Sequence, residues 1–165
     1  MVEANSVGTI GILRECKNKW ERRCSLTPVE VKKIVQAGIK VLVQSSSIRC
    51  FSDDMFVDAG AEITEDMTEA SVIFGVKEVP IKNLLPNKTY FFFSHTIKAQ
   101  DYNMPLLDKL KELKIRMVDF ECIREAPVEG KNFQERLVAF GRYAGIAGAF
   151  DFLRGIGEFL LQKQY

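Results

Sequence analysis

The single histidine of the sequence, His95, follows the apolar run TYFFFS (89–94), with Lys98 shortly beyond it. Other groups able to move protons or hold anions stand in the same way behind other apolar runs. Arg14 and Glu15 follow TIGIL (9–13), with Arg22 and Arg23 further along that loop; Lys77 and Glu78 follow SVIFGV (71–76), and Glu121 follows RMVDF (116–120). Arginine suits a two-pronged grip on a carboxylate, whereas lysine and histidine exchange protons when burial or a neighbour tunes them toward neutrality. Such a set fits a small anionic substrate undergoing proton transfers. Each residue also has a plainer reading: His95 closing a buried strand, Lys77–Glu78 as solvated loop charge, Arg22 and Arg23 beside Glu21 as a surface ion-pair cluster, Glu121 capping a strand end.

These groups can converge only if the runs before them are neighbouring strands of one sheet. The runs TIGIL, VLVQ (41–44), SVIFGV, TYFFFS and RMVDF are continuously rather than alternately apolar, the pattern of strands covered on both faces. Between the first two, TPVEVKKIVQAG predicts a helix. Thr27 caps it, Pro28 takes the first position, Glu30 completes a capping box and Gly38 ends it. Further helices are expected after Ser52, in DDMFVDAG, and over residues 104–114, where Leu106, Leu107, Leu110 and Leu113 recur at helical spacing. The fold class is therefore α/β: an open, mainly parallel sheet flanked by helices. Ligands of such sheets bind beyond the carboxyl ends of the strands, where the charged residues fall.

The totals narrow the partners. With 165 residues the chain can bury a real core, and 23 basic against 22 acidic residues leave a net charge of +1, which argues for neither nucleic acid nor an anionic membrane surface. No apolar run approaches the roughly 18 to 20 residues that span a bilayer. The four cysteines (Cys16, Cys24, Cys50, Cys122) form no CxxC pair, and a lone histidine does not complete a usual zinc set, so no metal is expected and the thiols read as reduced. From about Val138 the composition changes: Gly141, Gly145 and Gly148 with Ala144, Ala147 and Ala149 make a small-residue face suited to close backbone approach. We expect a main domain over residues 1–137 and a Gly/Ala-rich interdomain helical segment over 138–165, truncated before a further domain.

Five stretches, ILRECKNKWERRCSLTP, FGVKEVP, FFSHTIKAQ, NMPLLD and VAFGRYAGIAG, in this order and spacing, resemble the lysine-ketoglutarate reductase family, the N-terminal half of bifunctional α-aminoadipic semialdehyde synthases. More distantly they are similar to lysine-forming saccharopine dehydrogenases and to the N-terminal domain of alanine dehydrogenases. The resemblance implies a reductive condensation in lysine degradation: lysine and 2-oxoglutarate form an imine that NADPH reduces to saccharopine. It implies Lys77 and His95 as catalytic acid/base groups, Arg23, Lys98 and Arg136 as substrate-binding residues, and Glu78 and Glu121 as carboxylates that modulate the basic cluster. It further implies the mitochondrial matrix. A homo-oligomer is expected from the small-residue helix, which should expose apolar surface without a partner domain and so tend to dimerise.

The glycines of GRYAGIAG follow no strand and have no acidic residue about 20 positions later, so they do not make a dinucleotide fingerprint. We therefore expect a substrate-side domain that lacks complete activity by itself and is completed by a nucleotide-binding domain. The alternative is a non-catalytic amino-acid or keto-acid binding or regulatory module with the same fold. An alanine dehydrogenase-like activity is disfavoured by FFSHTIKAQ.

Overall fold

A computed structural model describes residues 8–127, 129–130 and 134–164, in two compact units, one ending at Cys122 and the other starting at Ile123. The expected boundary at residue 137 lies inside the second unit.

The first unit is built on six parallel strands: β1 (Thr9–Ile12), β2 (Lys40–Val43), β3 (Glu62–Ile63), β4 (Val72–Phe74), β5 (Thr89–Phe92) and β6 (Arg116–Asp119), in the spatial order β3-β2-β1-β4-β5-β6. The order reverses between β1 and β4, where Gly11 stands opposite Ile73. The parallel sheet read from the continuous apolar runs is present. The two-residue β3 was not predicted, because Glu62 and Ile63 are too short a stretch to carry a period.

Helix α1 (Pro28–Gln36) begins as TPVE predicts: the Glu30 carboxylate reaches back to the Thr27 backbone N–H, 3.2 Å away, and to the Thr27 hydroxyl. It stops at Gly38, whose φ of 85° suits glycine. Helices α2 (Asp53–Asp58) and α3 (Met104–Glu112) form where expected. Strand β2 shows why the runs are apolar throughout: Val41 and Val43 join Ile12, Val31 of α1 and Phe56 of α2 in one cluster. Leu42 points the other way, joining Ile73, Tyr90, Phe92 and the α3 residues Leu106 and Leu110. Each side chain of Val, Leu, Ile or Phe size so buried contributes about 1.5–3 kcal/mol. Both faces of the sheet are covered, and the free edges of chemistry lie at the strand ends.

In the second unit, the segment 123–125 pairs antiparallel with 135–137. Leu137 N–H donates to Ile123 O at 3.0 Å and Glu125 N–H to Glu135 O at 3.0 Å, and Arg124 bridges Arg136. Helix α4 (Gly141–Gln162) follows. Among the described residues no helix is long and apolar enough to cross a membrane.

Candidate functional site

The carboxyl ends of β1, β4, β5 and β6 each present part of a linked polar network. After β1, the Glu15 carboxylate turns back onto the end of β4, accepting the N–H of Val76 at 2.7 Å with one oxygen and the N–H of Lys77 at 2.9 Å with the other. This clamp fixes the peptide from which the Lys77 side chain departs. Burial pushes the Glu15 carboxyl above its usual range, against the pull of the two N–H groups; the charge of Glu21 adds to the rise and that of Arg23 opposes it.

Further along the same loop, Arg23 holds Glu21 in a two-pronged ion pair, Nε to Oε1 at 2.7 Å and Nη2 to Oε2 at 2.6 Å. Glu21 is buried and titrates below its usual range, first because of the Arg23 hydrogen bond, with the charge of Lys77 contributing. Arg14, by contrast, is engaged by Glu65 through both terminal nitrogens, at 2.9 and 2.6 Å, and by Ser45 O at 3.0 Å. The plain ion-pair reading of arginine beside Glu21 thus describes the Arg23 contact, yet this pair lies within electrostatic reach of both Glu15 and Lys77.

Beyond β4, Glu78 connects the β4 end to the β5 end: its Oε1 lies 2.8 Å from His95 Nδ1 and its Oε2 lies 3.3 Å from Lys17 Nζ. Burial raises the Glu78 carboxyl, but the His95 hydrogen bond, a backbone N–H and the charges of Lys17 and His95 outweigh it and hold the group below its ordinary value. An ionised Glu78 accepts from Nδ1–H, which directs proton exchange at the ring to Nε2. The ring of His95 lies nearly parallel to that of Phe93, with centroids 6.4 Å apart. Its backbone is left-handed, φ 57°, a region histidine enters more readily than most residues.

Three buried side chains hold that backbone. Asp119, at the end of β6, accepts from the N–H of Ser94 at 3.3 Å and from the Ser94 hydroxyl through one oxygen, and from the N–H of Glu121 at 2.8 Å through the other. Ser94 Oγ in turn lies 2.8 Å from Thr96 Oγ1 and accepts the Thr96 N–H at 3.1 Å. Asp119 therefore sets the positions of His95 and Glu121 together. Glu121 makes an ion pair with Lys98 at 3.5 Å.

Of the sequence-predicted residues, Glu78 and His95 are brought into contact beside Lys77, which precedes Glu78 in the chain; Arg23 is coupled electrostatically to this end through Glu21 and Glu15, and Lys98 pairs with Glu121 at the neighbouring strand end. Arg136 lies in the second unit, in the paired segment described above. Sequence reading missed the clamping part of Glu15, the pairing of Glu21 with Arg23 and the bracing by Ser94 and Asp119. An acidic residue inside the apolar run RMVDF was the one available signal for the last.

A cavity of about 240 Å³ opens at the reversal point between β1 and β4, lined among others by Glu15, Lys77, Glu78, Arg14, Glu65 and Asp66. Its carboxylates and a long loop from residue 13 to 27 replace the glycine-rich strand-to-helix turn that would cradle a pyrophosphate. The glycines 141, 145 and 148 lie within α4 instead. The described residues therefore do not fit a dinucleotide. Nor do they contain a group of three or more His, Cys, Asp or Glu side chains placed to hold a metal.

The chain is 46% identical over 152 residues to the bovine (Bos taurus) protein named alpha-aminoadipic semialdehyde synthase, mitochondrial; the match covers 92% of this chain and 16% of that protein. It is 42% identical over 157 residues to the alpha-aminoadipic semialdehyde synthase of Arabidopsis thaliana, covering 92% and 14% respectively. It is also 31% identical to the Yarrowia lipolytica saccharopine dehydrogenase [NAD(+), L-lysine-forming], with 83% of this chain and 37% of that one covered. The chain thus spans a minor part of the length of these relatives. Among solved structures it is similar to an L-alanine dehydrogenase, with a TM-score of 0.59, 25% identity, and 68% of this chain and 32% of that chain covered. A transhydrogenase from Sinorhizobium meliloti, TM-score 0.62, shares the fold at 17% identity over 72% of this chain and 36% of its own. The profile described as alanine dehydrogenase/PNT, N-terminal domain, matches residues 11–147, and the chain belongs to that family.

Proposed function

We propose that this chain is the substrate-side part of a saccharopine-forming oxidoreductase of lysine degradation, one that condenses L-lysine with 2-oxoglutarate and reduces the imine with NADPH. The observation that carries this reading is the linked set Arg23–Glu21, Glu15–Lys77 and Glu78–His95 at adjacent strand ends, an anion grip beside two proton-exchanging groups. Attack of an amine on a keto carbon requires the amine to lose protons and the carbinolamine oxygen to gain one before water leaves. Lys77 and His95 serve these transfers, and Glu78 keeps the imidazole oriented. Arg23 receives a substrate carboxylate by exchanging part of its hold on Glu21, with Lys98 and Arg136 as further anchors; Glu78 and Glu121 moderate the positive charge of the cluster.

Because the described residues do not fit a dinucleotide, the NADPH site belongs to a nucleotide-binding domain outside them, and this chain alone does not complete the reaction. On the same reading, residues 1–137 are the substrate-side domain, 138–165 are the interdomain segment, and the protein works in the mitochondrial matrix; the bovine relative's name carries the word mitochondrial.

Calorimetric titration with saccharopine tests this reading, with alanine and NADPH as comparison ligands and Arg23→Ala as the control. Saccharopine binding that vanishes in Arg23→Ala, without NADPH binding, is the expected result. Preference for alanine, or saccharopine binding indifferent to Arg23, would overturn the assignment.

A further inference from the structure

The segment that carries Arg23 is bonded to the loop following β2. Cys50 N–H donates to Arg22 O at 2.8 Å, and Arg22 Nε donates to Ile48 O at 2.9 Å. The two segments run side by side, and each brings a cysteine, Cys24 from one and Cys50 from the other, both free thiols.

Each cysteine is held from its own side. Cys24 packs against the cluster containing Ile12, Val31, Val43 and Phe56. Cys50 is exposed, but its neighbour Arg49 is buried and fixed: Nε donates to Phe51 O at 3.0 Å and Nη1 to Gln44 O at 3.0 Å. Its guanidinium lies 4.4 Å from the centre of the Phe56 ring and pairs with Asp53. Asp53 also accepts the Ser45 hydroxyl at 2.6 Å and the Ser46 N–H at 3.2 Å. Phe56 thus touches the supports of both cysteines, and with Cys50 N–H bonded to Arg22 O, two residues before Cys24, the Cys50 side chain is within electrostatic reach of the Cys24 thiol.

We propose that Cys24 and Cys50 are a redox pair that closes to an intramolecular disulfide when the protein meets an oxidised thiol compound such as glutathione disulfide, tethering the Arg23 segment to the loop after β2.

The exchange balances without another reagent. The exposed Cys50 thiolate attacks one sulfur of glutathione disulfide, breaking its S–S bond and releasing one glutathione thiolate. Cys24 then gives its proton to solvent, its sulfur attacks the Cys50 sulfur of the mixed disulfide, and the second glutathione thiolate leaves. Two protein thiols are oxidised and one disulfide is reduced to two thiols.

The order follows from the surroundings. Cys24 is pushed up to about 12, mainly by burial, then by the charge and hydrogen bond of Cys50 and by the charge of Glu15, with Arg49 opposing. It is a poor initiator, so Cys50 reacts first and the second step is limited by deprotonation of Cys24. Glu15, the clamp of Lys77, is felt at Cys24, so the tether closes next to the candidate site. Disulfide formation itself does not depend on the proposed activity.

The test treats the reduced protein with glutathione disulfide, blocks remaining thiols at intervals and maps the products by mass spectrometry. The glutathione adduct on Cys50 is expected to appear first and to convert to a Cys24–Cys50 cross-link, with the conversion accelerating by about tenfold per pH unit between pH 7 and 9. Cys24→Ser should arrest at the adduct, and Cys50→Ser should give no cross-link, while Cys16→Ser and Cys122→Ser behave as the unaltered chain does. Peptide mapping of the unaltered protein gives the answer even if a variant fails to fold. A Cys50 adduct that persists unconverted, or a cross-link preferring Cys16 or Cys122, overturns the proposal.

Discussion

A histidine in left-handed backbone costs on the order of 1 kcal/mol or more and persists only where its surroundings over-determine it. At His95 the surroundings are Asp119, Ser94 and Thr96 on the backbone side and Glu78 on the ring side. In Asp119→Asn an amide nitrogen replaces one oxygen, so one of the buried N–H groups at Ser94 or Glu121 loses its acceptor. That change should cost about 1–3 kcal/mol in urea unfolding. Because His95 is the single histidine, its ring signals can be assigned by inspection in a nuclear magnetic resonance spectrum, and they should broaden in this variant; sharp, unshifted signals at unaltered stability would contradict the bracing role. Glu78 gives a pH-dependent prediction. Its folded carboxyl lies below the ordinary value, so between the two the unfolded chain binds more protons. Its stabilising share is present above the ordinary range and is lost as pH falls toward the folded value. Glu78→Gln removes this share, and its melting temperature should fall less steeply than that of the unaltered protein between pH 6 and 3. Glu21, also held low, leaves a residual slope in both. Parallel melting curves would mean that the Glu78–His95 contact is absent in solution.

Among the elements, the turn from α2 into β3 is a tight junction that also needs left-handed backbone. Gly60 has φ 92°, and a Cβ there would sit 2.9 Å from Val35 Cγ1 of α1. Gly60→Ala combines left-handed strain with overpacking and should destabilise by roughly 1–3 kcal/mol in urea unfolding, whereas Gly38→Ala meets open space and pays only the backbone cost. Equal effects at the two positions would mean that α1 does not pack against this turn as described. The strands and helices that carry long apolar runs or capping signals were legible from the residues alone: TPVE specifies the start of α1, and the run TYFFFS marks β5. Strand β3 was not, since two residues pairing with Leu42 and Val43 are made a strand by their neighbour. The same distinction governs the site. Residue type and position after a strand singled out Lys77, Glu78 and His95 as candidates, because parallel strands deliver their carboxyl ends to one edge. The Glu15 clamp on β4 and the Asp119 brace on β5 depend on which strands are adjacent, and the β1–β4 reversal that makes Glu15 a neighbour of Lys77 is a property of the sheet order.

At the scale of the molecule, the buried clusters lie within the first unit, on the two faces of the sheet, while the second unit carries α4 with no residue of that helix buried. Phe150, Phe152, Leu153, Phe159 and Leu161 on α4 are all more than half exposed. Aromatic side chains of this size bury 150–250 Å² each when covered, an area that water strongly favours removing. Gly141, Gly145 and Gly148, where an added Cβ would meet nothing within 4 Å, leave room for a second backbone to come close. The occupant we expect in a sample of this chain alone is a second copy of α4, giving a homo-oligomer. Sedimentation should show concentration-dependent association, and Phe150→Asp together with Leu153→Asp should shift the distribution to monomer without altering the urea midpoint of the first unit. Strictly monomeric sedimentation at high concentration would rule out self-association through this helix, and association unaffected by the two aspartates would place the contact elsewhere.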